Sequence, residues 1–479
     1  MAAPLLLASN RGPLAFSLAE DGTLSAVRGG GGLVSGLSGL AGAGPATWVC
    51  AALTDADREA ARRAPGGRLQ PPDGEGPSPA VRMLDIDPQT FTRAYTGVAN
   101  STLWFAHHLL WSTPLQPVFD AGFRRQWTSY ADYNRAFAEA LAAEAAPGAR
   151  VLVQDYHLTL APRVLRALRP DVRVAHFSHT PWAPPDYFRL LPEDVARDLL
   201  LGVLGADTAG FHSPRWAGAF LDCCAAALPG AAVDREAGTV ACAGRTTRVT
   251  VHPLGVDAPA LRERAARPDV DARLATLREQ VGDRRVVLRV DRTELSKNIV
   301  RGLAAYRELL RTRPEWRERV VHLAFAYPSR HDLPEYREYT AVVQRTAQEI
   351  DEEFGTSGWR PVLLDVQDDY LRSLAAYRLA DVLLVNPLRD GMNLVAKEVP
   401  VLAERGCALV LSTEAGAADE LGADALLVNP YDVSATADAL HRALLLPEEE
   451  RRARCARMAE VSGALPPQRW LEDQLAALG

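Results

Sequence analysis

Strand-sized apolar runs, each ending in a polar or turn residue and each followed by a helix-length stretch, recur through this 479-residue chain. In the first half they are "PLLLASNR", "RVLVQDYH", "VRVAHFSH" and "DTAGFHS", with helical patterns such as "YNRAFAEALAAEAA" and "LTLAPRVLRALRP" between them. A strand followed by a helix returns to the same edge of the sheet, so the next strand pairs in parallel. Parallel sheets are covered on both faces, which is why the runs are apolar throughout and not alternating. The expected class is therefore α/β.

The alternation pauses over residues 251–269, "VHPLGVDAPALRERAARPD", a stretch rich in proline and charge. It restarts with "RRVVLRVDR", "VVHLAFAYPSR", "PVLLDVQDD", "DVLLVNPLRD", "CALVLSTEAGAADEL" and "ALLVNPYD". A chain of this length exceeds one ordinary core. The reading is two doubly wound, Rossmann-like domains, 1–257 and 258–455, with residues 456–479 forming a C-terminal helix that returns to the first domain. Two such domains facing across a cleft would place a ligand at the carboxyl ends of both sheets. A net charge of −7 gives no basic field for nucleic acid or an anionic membrane. No apolar run is long enough to span a bilayer. "MAAPLLLASNR" lacks a basic leader and reaches Asn-Arg too soon for a signal peptide, so a cytoplasmic location is expected. The six cysteines show no metal-binding spacing, and no metal or cofactor is expected. A homo-oligomer is left open.

Polar residues with chemical potential fall at the strand ends: Arg11, Asp155, His179, Arg292, Arg330 and Asp390. Asp155 can accept hydrogen bonds from substrate hydroxyls or cap a helix. His179 can bind a sugar hydroxyl, support developing positive charge through its ring or carbonyl, or simply pack. Of 53 lysines and arginines only Lys297 and Lys397 are lysine, so those two resist replacement by arginine. In "VDRTELSKN", Arg292 and Lys297 lie on a strand-to-helix loop, where a planar fork and a compact ammonium can clamp one diphosphate. In "RDGMNLVAKE", Asp390 and Glu398 are read as lying at the start of one helix and two turns along it. The N–H groups of Gly391 to Leu394 would be the unpaired donors of its first turn. Asp390 suits a hexose hydroxyl, Glu398 a ribose diol, and Lys397 is left as a structural partner for a carboxylate. The glycine run Gly29 to Gly32 reads as a flexible turn or a loop over donor phosphate.

Taken in order, "SNR", "GGL", Tyr95 with Trp104, "DYHL", "H-x-P", "R-x4-K", "PSR" and "PLRDGMNLVAKE" resemble one family. It is the retaining glycosyltransferases of trehalose-6-phosphate synthase type, glycosyltransferase family 20, which have the two-domain GT-B fold. The resemblance runs from residue 5 to about 475. It implies an N-terminal acceptor domain and a C-terminal nucleotide-sugar domain. Arg292 and Lys297 would hold the donor diphosphate, Gly32 and His179 the donor sugar and phosphates. Asp390, Gly391, Met392, Asn393, Leu394 and Val395 would meet glucose and phosphate, and Glu398 the ribose. Arg11, Tyr95, Trp104 and Arg330, all donors suited to a dianion, would bind the phosphate of glucose 6-phosphate, with Asp155 on acceptor hydroxyls.

The chain departs from the family pattern at Gln154, where histidine is usual, at "HTPWAPP", and at Glu294, where aspartate is usual. Asp368, in the loop expected beside the base, stands where uridine-using members tend to carry an aromatic. A carboxylate suits the two adjacent donors of guanine and repels the acceptors of uracil, so GDP-glucose is favoured over UDP-glucose. The implied reaction forms α,α-trehalose 6-phosphate by front-face substitution, the leaving phosphate oxygen taking the acceptor proton. His179, Arg292, Lys297 and Asp155 are the catalytic candidates. The alternatives are a polyol phosphate or cyclitol phosphate acceptor, or a catalytically silent sugar-phosphate-binding subunit.

Overall fold

The structure is a computed structural model that describes residues 2–28, 45–69, 79–330 and 332–479. Gly32 lies outside the described residues. The chain divides into two compact units, Met1–Leu254 with Pro467–Gly479, and Gly255–Pro466.

In the first unit the parallel strands run Arg245–Val251, Thr208–Phe211, Arg173–Ser178, Ala145–Gln154, Ala3–Ala8, Ala46–Ala51 and Ala80–Leu84 across the sheet. The first strand of the chain, Ala3–Ala8, pairs on one side with Ala46–Ala51 and on the other with Ala145–Gln154. Strand order reverses there, and at such a point the loops leaving adjacent strands diverge and open a crevice. The loops in question carry Arg11 and Asp155. The sheet edges are not parallel, contrary to the simple alternation. Ala232–Asp234, Thr239–Cys242 and Arg245–Val251 form an antiparallel meander. Its second turn has Ala243 and Gly244 both at positive φ, 51° and 76°, the twist that a two-residue hairpin requires.

The long helix Ala121–Glu144 stops before Pro147, and the strand that follows begins at Ala145, so the Ala-rich segment expected to be helical to 146 is shorter. Pro147 lacks the N–H that a further turn would need. Residues Arg93–Leu103, carrying Tyr95, form a wide π-type helical stretch that runs into the helix Trp104–His108. The last helix, Pro467–Ala476, packs on the sheet of this unit through Trp470, which is buried edge-on against Phe177 at 4.9 Å and donates from Nε1 to the His252 carbonyl at 3.0 Å.

The second unit is a six-stranded, all-parallel sheet in the order Val362–Asp365, Val320–Tyr327, Arg285–Arg292, Val382–Val385, Ala408–Ser412, Leu426–Val428. Numbered along the chain this is 3-2-1-4-5-6, the dinucleotide-binding arrangement, with its reversal between Arg285–Arg292 and Val382–Val385. Alternate residues of the strands enter opposite cores. Val286, Leu288, Leu383 and Leu409 join one cluster, while Val287, Val382, Leu384 and Val410 join the other. The sheet is thus covered on both faces, as the unbroken apolar runs require.

The loop after Val382–Val385 is seated on the loop after Ala408–Ser412. Gly416 N–H donates to the Asp390 carbonyl at 3.0 Å and Ala417 N–H to the Met392 carbonyl at 2.9 Å. A Cβ on Gly416 would lie 2.0 Å from the Gly391 carbonyl oxygen, a contact with rigid backbone that nothing can relieve locally. Gly416→Ala is therefore expected to destabilise this unit by about 1–3 kcal/mol, the cost of overpacking. Urea unfolding of the variant checks it; an unchanged midpoint would mean that the loop is not held there.

Candidate active site

Arg292 ends its strand, and Lys297 closes the short turn Leu295–Lys297 that follows. Between them Glu294 is completely buried, and its carboxylate is shared by two guanidiniums. Oε1 meets Arg292 Nη2 at 3.0 Å and Oε2 meets Arg330 Nη1 at 2.8 Å. The Ser329 hydroxyl donates to Oε1 at 2.9 Å. Burial alone would raise the pKa of Glu294, but Arg292, Arg330 and Lys297, with the Ser329 bond, outweigh it and hold the acid at about 2. Arg292 remains half exposed while Arg330 is mostly covered, over the Tyr336 ring at 5.6 Å.

Lys297 reaches across the strand reversal. Its Nζ lies 2.5 Å from Asp390 Oδ2 and 4.0 Å from Asp291 Oδ1. Burial disfavours this ammonium, yet Asp390 and Asp291 more than compensate and raise its pKa. Asp291 itself is pushed up to about 6, chiefly by burial, against the pull of Arg289 and Lys297. Below it, Arg289 is fully buried in mid-strand, bonded to Asp291 at 3.2 Å, to the Lys297 carbonyl at 3.0 Å and to the Asn386 side chain. Asn386 accepts on Oδ1 and also offers its carbonyl to Asn298 Nδ2 at 3.0 Å. One network of charge thus runs from the sheet to the mouth of both loops.

The helix after Asp390 is Val395–Leu402, so Gly391 to Leu394 form a loop and not a first turn, which corrects the sequence reading. The cause is Asn393. Its φ of 85° breaks the helical run, its Oδ1 accepts from Ala396 N–H at 3.0 Å, and its Nδ2 donates to Asp390 Oδ2 at 3.1 Å. Glu398 therefore sits in the first turn, not two turns along. Its carboxyl is raised by burial and takes a bond from the Tyr377 hydroxyl at 3.2 Å. Lys397, 1% exposed, is ion-paired with Glu420 at 2.5 Å and belongs to the helix packing. Asp368 is exposed on the loop between the strand Val362–Asp365 and the helix Tyr370–Leu379, which Asp369 caps.

In the first unit Arg11 is exposed just past its strand, with its carbonyl taken by the Ser9 hydroxyl at 2.7 Å. Asp155 ends the neighbouring strand at φ 73° and ψ 171°, a conformation that nearly only glycine adopts. Two bonds maintain it. Asp155 N–H donates to the Phe177 carbonyl at 2.7 Å, and Oδ1 accepts from His179 N–H at 3.1 Å. The carboxylate thus orients the next strand's terminus and does not cap the turn that follows it. Tyr95 is stacked between Phe91 at 5.2 Å and His157 at 5.6 Å, and Trp104 on His108 at 3.8 Å. His179 is held on both ring nitrogens, Nε2 to Gln154 Oε1 at 2.8 Å and Nδ1 to His212 Nε2 at 3.1 Å. Burial, then His212 and His176, keep it well below the ordinary imidazole range.

The second unit brings Arg292, Lys297, Arg330 and Asp390 into one cluster, with Asn393 beside them and Glu398 on the adjoining helix. The first unit gathers Asp155 and His179, and places Arg11 on the loop after Ala3–Ala8, the strand paired with the one that leads into Asp155. The five acceptor candidates divide, Arg11, Tyr95, Trp104 and Asp155 in one unit and Arg330 in the other. Four contributors were missed from sequence: Arg289, Asp291, Asn386 and His212. The signal for Arg289 was present, a charged residue inside the apolar run "VVLRVD" with an acid two positions on, hence on the same face of the strand. Among the described residues no group of three or more His, Cys, Asp or Glu is placed to hold a metal ion. No helix among them is long and apolar enough to cross a membrane.

Comparison with known proteins places this geometry. The family model for glycosyltransferase family 20 matches residues 4–479. The trehalose-6-phosphate synthase of Mycolicibacterium vanbaalenii is 34% identical, the match covering 99% of this chain and 96% of that protein. The UDP-forming α,α-trehalose-phosphate synthase of Botryotinia fuckeliana is 33% identical over 93% of this chain and 83% of its own. A bifunctional trehalose-6-phosphate synthase/phosphatase from Thermoproteus tenax is 36% identical, but the chain spans only about half of it, 51%. Among solved structures, the Escherichia coli trehalose-6-phosphate protein bound with UDP-2-fluoro glucose superposes with a TM-score of 0.86 at 28% identity, covering 99% of this chain and 98% of the other. A synthase from Burkholderia xenovorans in complex with glucose-6-phosphate gives 0.84 at 28% identity, with 99% of both chains covered. With the family model matched along nearly all of its length and both sheets built as the GT-B fold builds them, this chain belongs to glycosyltransferase family 20.

Proposed function

We infer that this chain is an α,α-trehalose-phosphate synthase, which transfers glucose from a nucleotide-glucose donor to glucose 6-phosphate and forms α,α-trehalose 6-phosphate. The observation that carries this reading is the cation cluster of the second unit: Arg292, Lys297 and Arg330 converge on Glu294 and Asp390 at the strand reversal. Three fixed positive charges at a nucleotide-binding sheet suit two phosphorylated substrates. The relatives support the substrates, since one solved neighbour holds a UDP-glucose analogue and another glucose-6-phosphate.

Arg292, half exposed, and Lys297 would take the donor diphosphate and Arg330 the acceptor phosphate. Asp390 and the loop to Val395 would receive the glucose, and Glu398 the ribose. In the first unit Arg11, Tyr95 and Trp104 are the acceptor-phosphate candidates, with Asp155 for acceptor hydroxyls. The C1–O bond to the diphosphate breaks as the acceptor's anomeric oxygen bonds C1 from the same face, and the acceptor proton passes to the departing phosphate oxygen. A carboxylate nucleophile would be the other route to retention. The two candidate carboxylates are otherwise engaged, Asp390 with Lys297 and Asn393, Asp155 with the His179 N–H. Charge on the leaving diphosphate is stabilised by groups already in place, which is where such sites gain most of their rate.

On the donor base we propose GDP-glucose as preferred, from the exposed carboxylate of Asp368 at the loop beside the sheet edge. The relative from Botryotinia is UDP-forming.

Four outcomes test these readings. Lys297→Ala should lower kcat about 100-fold or more while the KM for glucose 6-phosphate moves less than about threefold; equal losses in steady-state kinetics would remove Lys297 from the clamp. Nucleotide release with glucose 6-phosphate should be faster from GDP-glucose than from UDP-glucose, and Asp368→Asn should narrow that ratio roughly tenfold. Identification of the product with glucose 6-phosphate, glycerol 3-phosphate and a cyclitol phosphate offered together fixes the acceptor. Glu294, ordinarily at 4.5 and here near 2, contributes stability that is complete above about pH 4.5 and lost as pH falls toward 2. Glu294→Gln should flatten that stretch of the stability–pH curve; a variant with the wild-type slope would show that Glu294 is not the titrating group.

A further inference from the structure

Arg289 takes no part in the proposed reaction, yet it sits in mid-strand with no exposure to solvent. Its Nη1 donates to the Lys297 carbonyl at 3.0 Å and to Asp291 Oδ2 at 3.2 Å, and its Nη2 donates to the Asn386 side chain. A guanidinium only donates, so Asn386 turns its oxygen toward it. The two arms reach different loops. Lys297 belongs to the turn after Arg285–Arg292, and Asn386 to the loop after Val382–Val385, which also carries Asp390. Further bonds tie the same turn to the same loop. Leu388 N–H donates to the Ser296 carbonyl at 2.7 Å, and Asn298 Nδ2 to the Asn386 carbonyl at 3.0 Å. The helix that follows, Ile299–Thr312, makes room for the guanidinium. A Cβ on Gly302 would lie 3.0 Å from Arg289 Nη2 and 3.1 Å from Asn386 Oδ1. Glycine weakens a helix interior, so its place here follows from the arginine. Packing alone explains the arginine poorly, because its buried Nε–H finds no partner among the described residues.

Charge points the same way. Arg289, Arg292, Lys297 and Arg330 stand among Asp291, Glu294 and Asp390. Without Arg289 the cations would only equal the carboxylates in number. Asp291, 4.0 Å from Lys297 Nζ, would then join Asp390 in quenching the ammonium that an incoming anion must meet. We propose that Arg289 is a positioning residue for the diphosphate clamp: by holding the Lys297 carbonyl and the Asn386 side chain together, it sets where the Lys297 ammonium stands relative to Asp390. The proposal rests on the glucosyltransferase reading above, which gives Lys297 the donor diphosphate. It adds that the reach of this side chain is fixed from inside the sheet, by a residue that touches no substrate.

The test exploits the scarcity of lysine. In the full chain labelled with 15N-lysine, NMR should show two side-chain signals, and Lys397, ion-paired with Glu420 away from the clamp, serves as the internal reference. Pyrophosphate should move the Lys297 signal and leave that of Lys397. Arg289→Met is made together with Asp291→Asn, so that no buried charge is stranded, and Asp291→Asn alone is the comparison. Relative to it, the double variant should displace the Lys297 signal, leave Lys397 unmoved and bind pyrophosphate about 10-fold more weakly by calorimetry. Its kcat should fall about 10-fold with the KM for glucose 6-phosphate within about threefold. Equal Lys297 signals and equal pyrophosphate affinity in the two variants overturn the proposal. So does a Lys397 signal displaced as far as that of Lys297, which would make Arg289 a packing residue. A wild-type Lys297 signal that ignores pyrophosphate overturns the clamp and the proposal together. The spectra are read without turnover, so a wild-type chain that binds pyrophosphate at Lys297 and makes no trehalose 6-phosphate sinks the proposed function and leaves the role of Arg289 standing.

Discussion

A single carboxylate, that of Glu294, is divided between Arg292 on one strand-end loop and Arg330 on the next, and the electrostatics of the second unit follow from it. Three cations gathered this closely would repel one another and swing apart without an anion among them. Because Glu294 has no exposure, its attraction to both guanidiniums is little screened, and the desolvation it suffers is repaid only while both stay. The extra methylene relative to aspartate gives the carboxyl group a longer reach from its turn. Lys297 completes the set by bridging from the first strand's loop to Asp390 on the fourth, so the two loops that border the reversal are joined by an ion pair.

The presence of two lysines in a chain that otherwise uses arginine has a common physical cause. Each ammonium ends in a pocket closed on nearly all sides and meets a carboxylate end-on at 2.5 Å, Lys297 with Asp390 and Lys397 with Glu420. A guanidinium is planar and wider and presents five donors, of which several would be buried unpaired in either place. The two sites differ in consequence. Lys397 is buried on a helix and stabilises packing, while Lys297 joins two strand-end loops through Asp390.

The α/β class and the parallel pairing were legible because apolar runs bounded by polar strand ends have few other solutions. Lys297 stood out because lysine is rare in this chain, and the structure sets it on the turn that follows Arg292. What escaped was tertiary. The antiparallel meander at the edge depends on the Ala243-Gly244 turn, whose first residue carries no turn preference of its own. The late start of the helix at Val395 is set by Asn393 adopting positive φ and bonding Asp390, a choice settled by the loop across from it. Glu294 could be noticed only as a departure from a pattern, since Arg330, 36 positions on in the sequence, supplies half of its meaning. Gln154 is similar; its partner His179 lies on another strand end.

Arg289 and Asp291 have a bearing on how this chain can vary. They face one core from the same strand, the arginine with no exposure and the acid almost none. Losing either one leaves an unmatched charge in the interior, a penalty of about 3–5 kcal/mol, which is most of a domain's margin. Exchanging both together for apolar residues of like volume would cost far less. Across descendants of this sequence the two positions should therefore covary as a block, and the strand that carries them should drift more slowly than the surface helices on either side.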